Sequence, residues 1–432
     1  AMGTVARHGR LRKTTGTRSV LKAISMVLGV VLVSATIFGG IVWANLQSGV
    51  TTFDLADNSE TGDQKGLAAY QGGVNILLVG SDDRTGQGEE FGEGDPDAEG
   101  VLNDVNMILH LAADHSHATV VSIPRDTLVD TPQCTSDEGE LVDEQYGVMF
   151  NSILGTGGMN CVVAAAEEMS GLDIQFAAMV KFLGVIEMSN AVGGVEVCVE
   201  QPIDDPYLGL QLDPGYHDLQ GGDALKFLRT RHGVGDGSDL TRISNQQLFL
   251  AALMRSLKSD DTLSNPTKLY GIARAVTQNM VLSANLNSID TIVSLAVALQ
   301  DVPLERIAFV RLPVGYSEWD ASRVIPTDEA ELLWEMLRND EQPNVQLDES
   351  VSDQSDSGDD PATADGGETD PATDEPTDEP SDEPADGAGD SGDALADGGA
   401  DAAATPTATP TPTLDGQTAA DETCSNAGVD LW

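Results

Sequence analysis

The sequence predicts an α/β fold, a mixed β-sheet sandwiched by helices, behind one N-terminal transmembrane helix and ahead of a disordered C-terminal tail. Three observations predict it. Strand-like and helix-like apolar patterns alternate between Asn75 and Arg338, as they do in a sheet covered on both faces. Residues 23–53 carry no charged side chain. From Pro343 onward the chain turns acidic and rich in Pro and Thr. Its 432 residues are enough for roughly two or three average domains.

Charge excludes some partners. Asp and Glu total 71 against 22 Lys and Arg, a formal net charge of −49. Repulsion argues against nucleic acid or an anionic lipid surface. The charge is also uneven. Arg7, Arg10, Arg12, Lys13, Arg18 and Lys22 fall in residues 1–22 with no acid among them. No Lys or Arg follows Arg338, and 26 acids lie from Asp340 onward.

The basic segment 1–22 precedes an apolar run, residues 23–44, that lacks proline. In a helix these 22 residues reach roughly 33 Å, the depth of a bilayer core. Bases before the run and none just after it predict a cytoplasmic N-terminus, with Trp43 at the interface. The alternative is a cleaved signal peptide with Val42-Trp43-Ala44 as its processing site, but the run is long for one. An uncleaved anchor makes this a single-pass protein of the cell membrane with its C-terminal domain extracellular. The four cysteines, Cys134, Cys161, Cys198 and Cys424, suit that oxidising side. Their spacings match no zinc or C-x-x-C motif and leave three disulfide pairings open. Closeness in sequence favours Cys134–Cys161, and Cys198–Cys424 would then tie down the C-terminus.

Residues 45–72 read as a polar stalk and 73–342 as the folded domain. Strands are expected at 75–79, ending in Gly-Ser-Asp-Asp-Arg, at 105–111, and at 118–123, ending in Pro124-Arg125-Asp126. Continuous apolar strands of this kind are covered on both faces. Helices are expected at 159–169 and 180–191, then a strand at 195–199. Asp239 is an N-cap candidate for a helix with Ile243, Leu250, Leu253 and Leu257 on its apolar positions. Helices at 266–282 and 286–300, a strand at 307–312 and a helix at 328–338 close the domain. The tail, 343–432, has too few apolar side chains to offset chain entropy and should be disordered.

Bases outside the head are scarce, so their positions carry weight. Arg84 and Arg125 follow strands, and Arg229, Arg231 and Arg242 lie within fourteen residues. In an extended Arg229-Thr230-Arg231 both guanidinium groups share one side. Converging, these five would bind a polyanion, since guanidinium forks match phosphate oxygens; dispersed, they would pair with surface acids. Asp82, Asp83, Asp104 and Asp126 sit at the same strand ends. A carboxylate pair beside arginines suits a Mg²⁺ that bridges protein and phosphate, although an aspartate after a strand is commonly a turn or cap residue. His110 and His232 are expected near this site, as structural or catalytic groups. No Walker loop, G-x-S-x-G or H-E-x-x-H motif occurs.

Together, NILLVGSDDR, NDVNMILHL, VVSIPRD, FNSILGTGG, VGGVEVCV, ALKFLRTRH and SDLTRISNQQ, in this order, resemble the LytR–CpsA–Psr family in its actinobacterial, cysteine-bearing form. The resemblance runs from about Asn75 to Arg338. It implies a three-layer domain in a membrane-anchored phosphotransferase. Such an enzyme moves a glycopolymer from polyprenyl-pyrophosphate to an acceptor hydroxyl of peptidoglycan or of a surface protein. Polyprenyl phosphate is released, and hydrolysis of the pyrophosphate is a side activity. It implies metal binding (Mg²⁺ or Mn²⁺) by Asp82 and Asp104, and pyrophosphate binding by Arg84, Arg125, Arg229, Arg231, Arg242 and Gln246. It implies a catalytic set of Arg125, Arg242 and Asp126. The prenyl chain is expected in a groove that Phe182, Leu250 and Leu253 line, unless these are ordinary core. Three positions depart from the family pattern: Leu102 stands where Arg is common, Met149-Phe150-Asn151 where K-L-N is, and Asn245-Gln246-Gln247 where R-Q-Q is. A non-catalytic wall-binding or regulatory protein is the alternative.

Overall fold

The computed structural model describes residues 16–47, 49–55, 73–84, 87, 101–231, 234, 239–346 and 413–425. Helix α1 (Gly16–Gln47) contains the 22-residue stretch Val20–Ile41, with a mean hydropathy of 2.3, long and apolar enough to cross a bilayer.

A mixed sheet organises the domain. From one edge its order is β1 (Thr51–Phe53), Met280–Ser283, Phe176–Val180, β2 (Val74–Ser81), β3 (Asn103–Leu111), β4 (Ala118–Ile123), Ile307–Arg311, Thr413–Thr418 and Asn344–Gln346. The central β2, β3 and β4 are antiparallel. Phe176–Val180 runs parallel to β2, and Ile307–Arg311 parallel to β4.

Alternation along a strand explains the layers. Leu77 and Val79 of β2 pack into a core with Val162 and Ala166 of helix α2 (Ile153–Ser170) and with Leu333, Trp334 and Leu337 of helix Asp328–Arg338. Val74 and Ile76 enter the opposite core with Phe176, Leu295 and Ala251. Helix α3 (Phe182–Val192) and helix α4 (Gly221–Arg229) precede helix α5 (Asp239–Lys258), which supplies Ala251. The far side of α5 buries Leu248, Phe249 and Ala252 in a third core around the strand Val195–Val199. Because α5 is buried on two sides, it is held rigidly between the sheet and this smaller unit.

Several boundaries differ from expectation. The helix expected at 180–191 is α3, which starts two residues later because Val180 ends the strand Phe176–Val180 and Lys181 is the break. The helix expected at 266–282 spans Pro266–Asn279 and then becomes the strand Met280–Ser283. Its start follows local rules: the Asn265 side chain accepts from the Thr267 and Lys268 N–H groups, and Pro266 opens the helix. The expected stalk contributes β1, because Phe53 buries its ring at the sheet edge.

The expectation of disorder across 343–432 fails at two places. Asn344–Gln346 and Thr413–Thr418 are strands of the main sheet, and Cys424–Ser425 joins Val195–Val199. The few apolar side chains there, such as Leu414 and Ala419, are buried, and Cys424 is cross-linked to Cys198. The second bridge, Cys134–Cys161, is also as expected. Residues 1–15, 56–72, 347–412 and 426–432, on which most of the expected basic head, stalk and disordered tail fall, lie outside the described residues.

Candidate active site

The site forms where β2 and β4 end and β3 begins. At the end of β2 the pairing with β3 shifts register between Gly80 and Ser81, and the chain leaves the sheet as Asp82-Asp83-Arg84. Asp82 is clasped to the start of β3: its N–H donates to Leu102 O at 3.2 Å, and its Oδ1 accepts from the Leu102 N–H at 2.7 Å. The clasp uses only the Leu102 backbone, so the side chain at that position does not alter it. Beyond β4, Arg125 Nη1 donates to Asp104 Oδ1 at 3.0 Å and Nε to Asp126 Oδ2 at 3.3 Å. The other Asp126 oxygen accepts from Arg323 Nη1 at 3.1 Å.

Helices α4 and α5 bring the remaining cations. Arg242 is buried in the first turns of α5, and its Nη2 donates to Asp104 O at 3.0 Å. Gln246, one turn on, donates to Leu228 O at 3.3 Å and ties α5 to α4. Arg229 ends α4 and lies 4.4 Å over the Phe182 ring, a cation–π contact. Arg229 and Arg231 are therefore not both on an extended segment, as the sequence suggested: a helix ends between them. Thr230, the C-cap, is buried and donates to Asp205 Oδ2 at 2.7 Å. Both arginines nonetheless reach one cavity.

That cavity has a volume of about 550 Å³. Asp82, Asp104, Lys181, Arg229, Arg231, Arg242 and Gln246 line one part of it. Met107 and Phe309 from the sheet, Phe182 and Val185 from α3, and Leu250, Leu253 and Leu257 from α5 line the rest. The expected groove residues Phe182, Leu250 and Leu253 thus face this space as well as the core. Arg84, Arg125 and Asp126 do not line it; Arg125 adjoins it through Asp104, and the charge of Arg84 acts on both Asp82 and Arg229.

The charges perturb one another. Burial raises the Asp82 carboxyl above its ordinary value, Asp104 adds to the rise, and the Leu102 hydrogen bond and Arg84 oppose it. Burial lowers Arg229, helped by Arg84 and Arg231 and opposed by Asp104 and Asp82. The five groups therefore share one field, and Arg229 remains a cation. A carboxyl raised in the folded state binds more protons there than when unfolded, so stability falls as pH rises from the ordinary value through the raised one. Asp82→Asn removes that loss. Its melting temperature at neutral pH is expected to exceed that of the unaltered protein, and the gap is expected to narrow as pH falls to the acidic side. A melting curve equal to or below that of the unaltered protein at neutral pH would contradict the strain assigned to Asp82.

Two residues were missed from sequence. Lys181 Nζ meets Asp83 Oδ2 at 2.5 Å, and the scarcity of bases was the signal that could have found it. Arg323 arrives from a distant hairpin, with no local signal. Conversely, His110 is not near the site. It is six residues along β3 from Asp104, about 20 Å away, held between Asn75 (2.8 Å) and Asp340 (3.2 Å). His232 lies outside the described residues, as does the Asp239 side chain. Asn245, where the family pattern has Arg, turns from the cavity and accepts from Ser425 Oγ at 2.8 Å.

Comparison with known proteins decides the family. The model of the LytR_cpsA_psr family matches residues 44–339. The chain belongs to the LytR_cpsA_psr family. Among family relatives, the cell wall biosynthesis protein LcpA of Corynebacterium glutamicum is 32% identical over 69% of this chain and 60% of its own length. The polyisoprenyl-teichoic acid–peptidoglycan teichoic acid transferase TagU of Oceanobacillus iheyensis is 29% identical over 51% of this chain and 62% of its own. The chain therefore spans about three-fifths of these relatives. The solved structure of protein gbs0355 from Streptococcus agalactiae shares the LytR_cpsA_psr fold, with a TM-score of 0.50 at 21% identity over 62% of this chain and 87% of that one.

Proposed function

We propose that this protein is a phosphotransferase that moves a glycopolymer from polyprenyl-pyrophosphate onto an acceptor hydroxyl of peptidoglycan, at the outer face of the cell membrane. The observation that carries this reading is one continuous cavity with a guanidinium-rich mouth and an apolar body. A lipid-linked diphosphate has that same division. The prenyl chain takes the space between Met107, Phe182 and Leu253, and the diphosphate meets Arg229, Arg231 and Arg242. The TagU relative is named for a transfer of this class.

In the reaction, the acceptor oxygen bonds to the glycan-side phosphorus, the bridging P–O bond breaks, and the acceptor hydroxyl's proton passes to the departing polyprenyl phosphate. Arginines fixed before substrate arrives stabilise the charge on the departing phosphate. Asp126, with both oxygens held by Arg125 and Arg323, aims Arg125 rather than taking the acceptor's proton.

Mg²⁺ or Mn²⁺ fits Asp82 and Asp104. The donors are hard oxygens, and the two negative charges oppose each other where a divalent cation would reconcile them. Among the described residues no group of three or more His, Cys, Asp or Glu could hold a metal ion, so the cation would also need oxygens from substrate phosphate or water. When bound it would supply further neutralisation of the diphosphate.

The test uses the full chain in detergent with a polyprenyl-pyrophosphate glycan donor, Mg²⁺ and soluble glycan strands. Polyprenyl monophosphate and a glycan-modified strand are expected, with free glycan phosphate when the acceptor is omitted. Shortening the prenyl chain to a water-soluble stub is expected to lower kcat/KM by at least tenfold. If no donor is consumed under any of these conditions, the protein binds wall polymers without transferring them.

A further inference from the structure

The transfer needs a second substrate, and the cavity is shaped for the lipid-linked one. Beside its mouth, a hairpin of strands Val314–Tyr316 and Val324–Pro326 is bonded to the segment that carries Arg125 and Asp126. The Val324 N–H donates to Asp126 O at 3.3 Å, Thr127 and Val324 form a parallel bridge, and Arg323 holds the Asp126 carboxylate. On this hairpin Trp319 is 94% exposed, Tyr316 70% and Ile325 41%. Single exposed aromatics are ordinary on protein surfaces.

What distinguishes this group is that its loop is built. The Ser317 N–H donates to Arg323 O at 2.9 Å, and buried Ser317 Oγ accepts from the Trp319 N–H at 3.3 Å. Asp320 Oδ1 accepts from Ser322 N (2.9 Å) and Oγ (2.6 Å), and the Arg323 N–H closes on Asp320 O at 2.9 Å. Trp319 is thus displayed on an ordered turn. It is four residues from the arginine that grips Asp126, a separation of at most about 14 Å of chain.

We propose that this hairpin is the acceptor subsite, where Trp319, with Tyr316, stacks on the sugar rings of a glycan strand. The inference rests on the transferase reading and deepens it. The apolar C–H face of a sugar ring carries partial positive charge and meets the negative face of an aromatic ring. Trp and Tyr offer large rigid surfaces at small entropic cost. Exposed Glu318 and Asp320 flank Trp319 and supply acceptors for sugar hydroxyls. A strand seated there lies beside the segment that carries Arg125 and Asp126.

The test measures strand binding apart from turnover. The full chain in detergent is titrated with soluble, uncrosslinked peptidoglycan strands stripped of peptide, and donor hydrolysis by the unaltered protein is followed in parallel. Trp319→Ala is expected to weaken strand binding about tenfold with an unchanged melting temperature. Trp319→Phe should keep most of the affinity, and Tyr316→Ala should lose less than Trp319→Ala. Equal strand affinity in Trp319→Ala and the unaltered protein overturns the proposal. If strands bind through Trp319 but donor is never consumed, the strand site stands and the transferase reading falls.

Discussion

Arg125→Ala and Arg242→Ala are each expected to lower donor turnover by about 10²–10³-fold, the usual cost of removing one fixed donor from a developing oxyanion. Their effects should not multiply. Arg125 holds the Asp104 side chain and Arg242 holds the Asp104 carbonyl, so both act through the same short stretch of β3. Groups that act as a unit lose most of their effect with the first removal. The double variant is therefore expected to be at most about tenfold slower than the worse single one. Arg125→Lys should recover only part of the activity, because an ammonium cannot reproduce the fork that spans Asp104 and Asp126. Turnover is measured by release of polyprenyl monophosphate, with circular dichroism confirming the fold. Activity within threefold of the unaltered protein in either single variant would sink the assignment of these arginines. Full multiplication in the double variant would sink their coupling through Asp104.

The parts of the site that were legible share one property: they sit at the ends of strands adjacent in both sequence and sheet. Asp82 and Arg125 follow β2 and β4 and Asp104 opens β3, and these strands pair in chain order. A local reading of apolar runs therefore also located their neighbours in space. Arg242 and Gln246 were legible by resemblance, since nothing local shows that α5 is buried on two sides. Arg323 was invisible because its contact with Asp126 spans 197 residues. The same reason hid β1 and Thr413–Thr418. Their strands have three and six residues with little apolar content. What makes them strands is an existing sheet edge, and β-structure depends strongly on such context. His110 was misplaced for a simpler cause: six residues along a strand is a long way.

Cutting the Cys198–Cys424 bridge is expected to destabilise the domain more than cutting Cys134–Cys161. The bridges close sequence separations of 226 and 27 residues. In the chain-entropy account the cost of losing a bridge grows with the logarithm of the loop, giving about 5 kcal/mol for the longer and about 3.5 kcal/mol for the shorter. Native contacts push in the same direction. Cys424 is a covalent anchor of a segment that runs from the main sheet to the small one. Along the way Arg255 Nη1 donates to Ala419 O and Asp421 O at 2.9 Å each, and Ser425 reaches Asn245. Both contacts are on α5, the helix that carries Arg242 and Gln246. Releasing the segment loosens the outer support of that helix, whereas Cys134–Cys161 ties a short hairpin to α2. The paired substitution Cys198→Ser, Cys424→Ser is therefore expected to lower the melting temperature by on the order of 10 °C and to lower donor turnover measured well below that temperature. Cys134→Ser, Cys161→Ser should melt higher than the first pair and keep more activity. Thermal melts and donor assays on the two variants decide it: equal losses, or a larger loss from the shorter loop, would mean that the C-terminal strand does not brace α5.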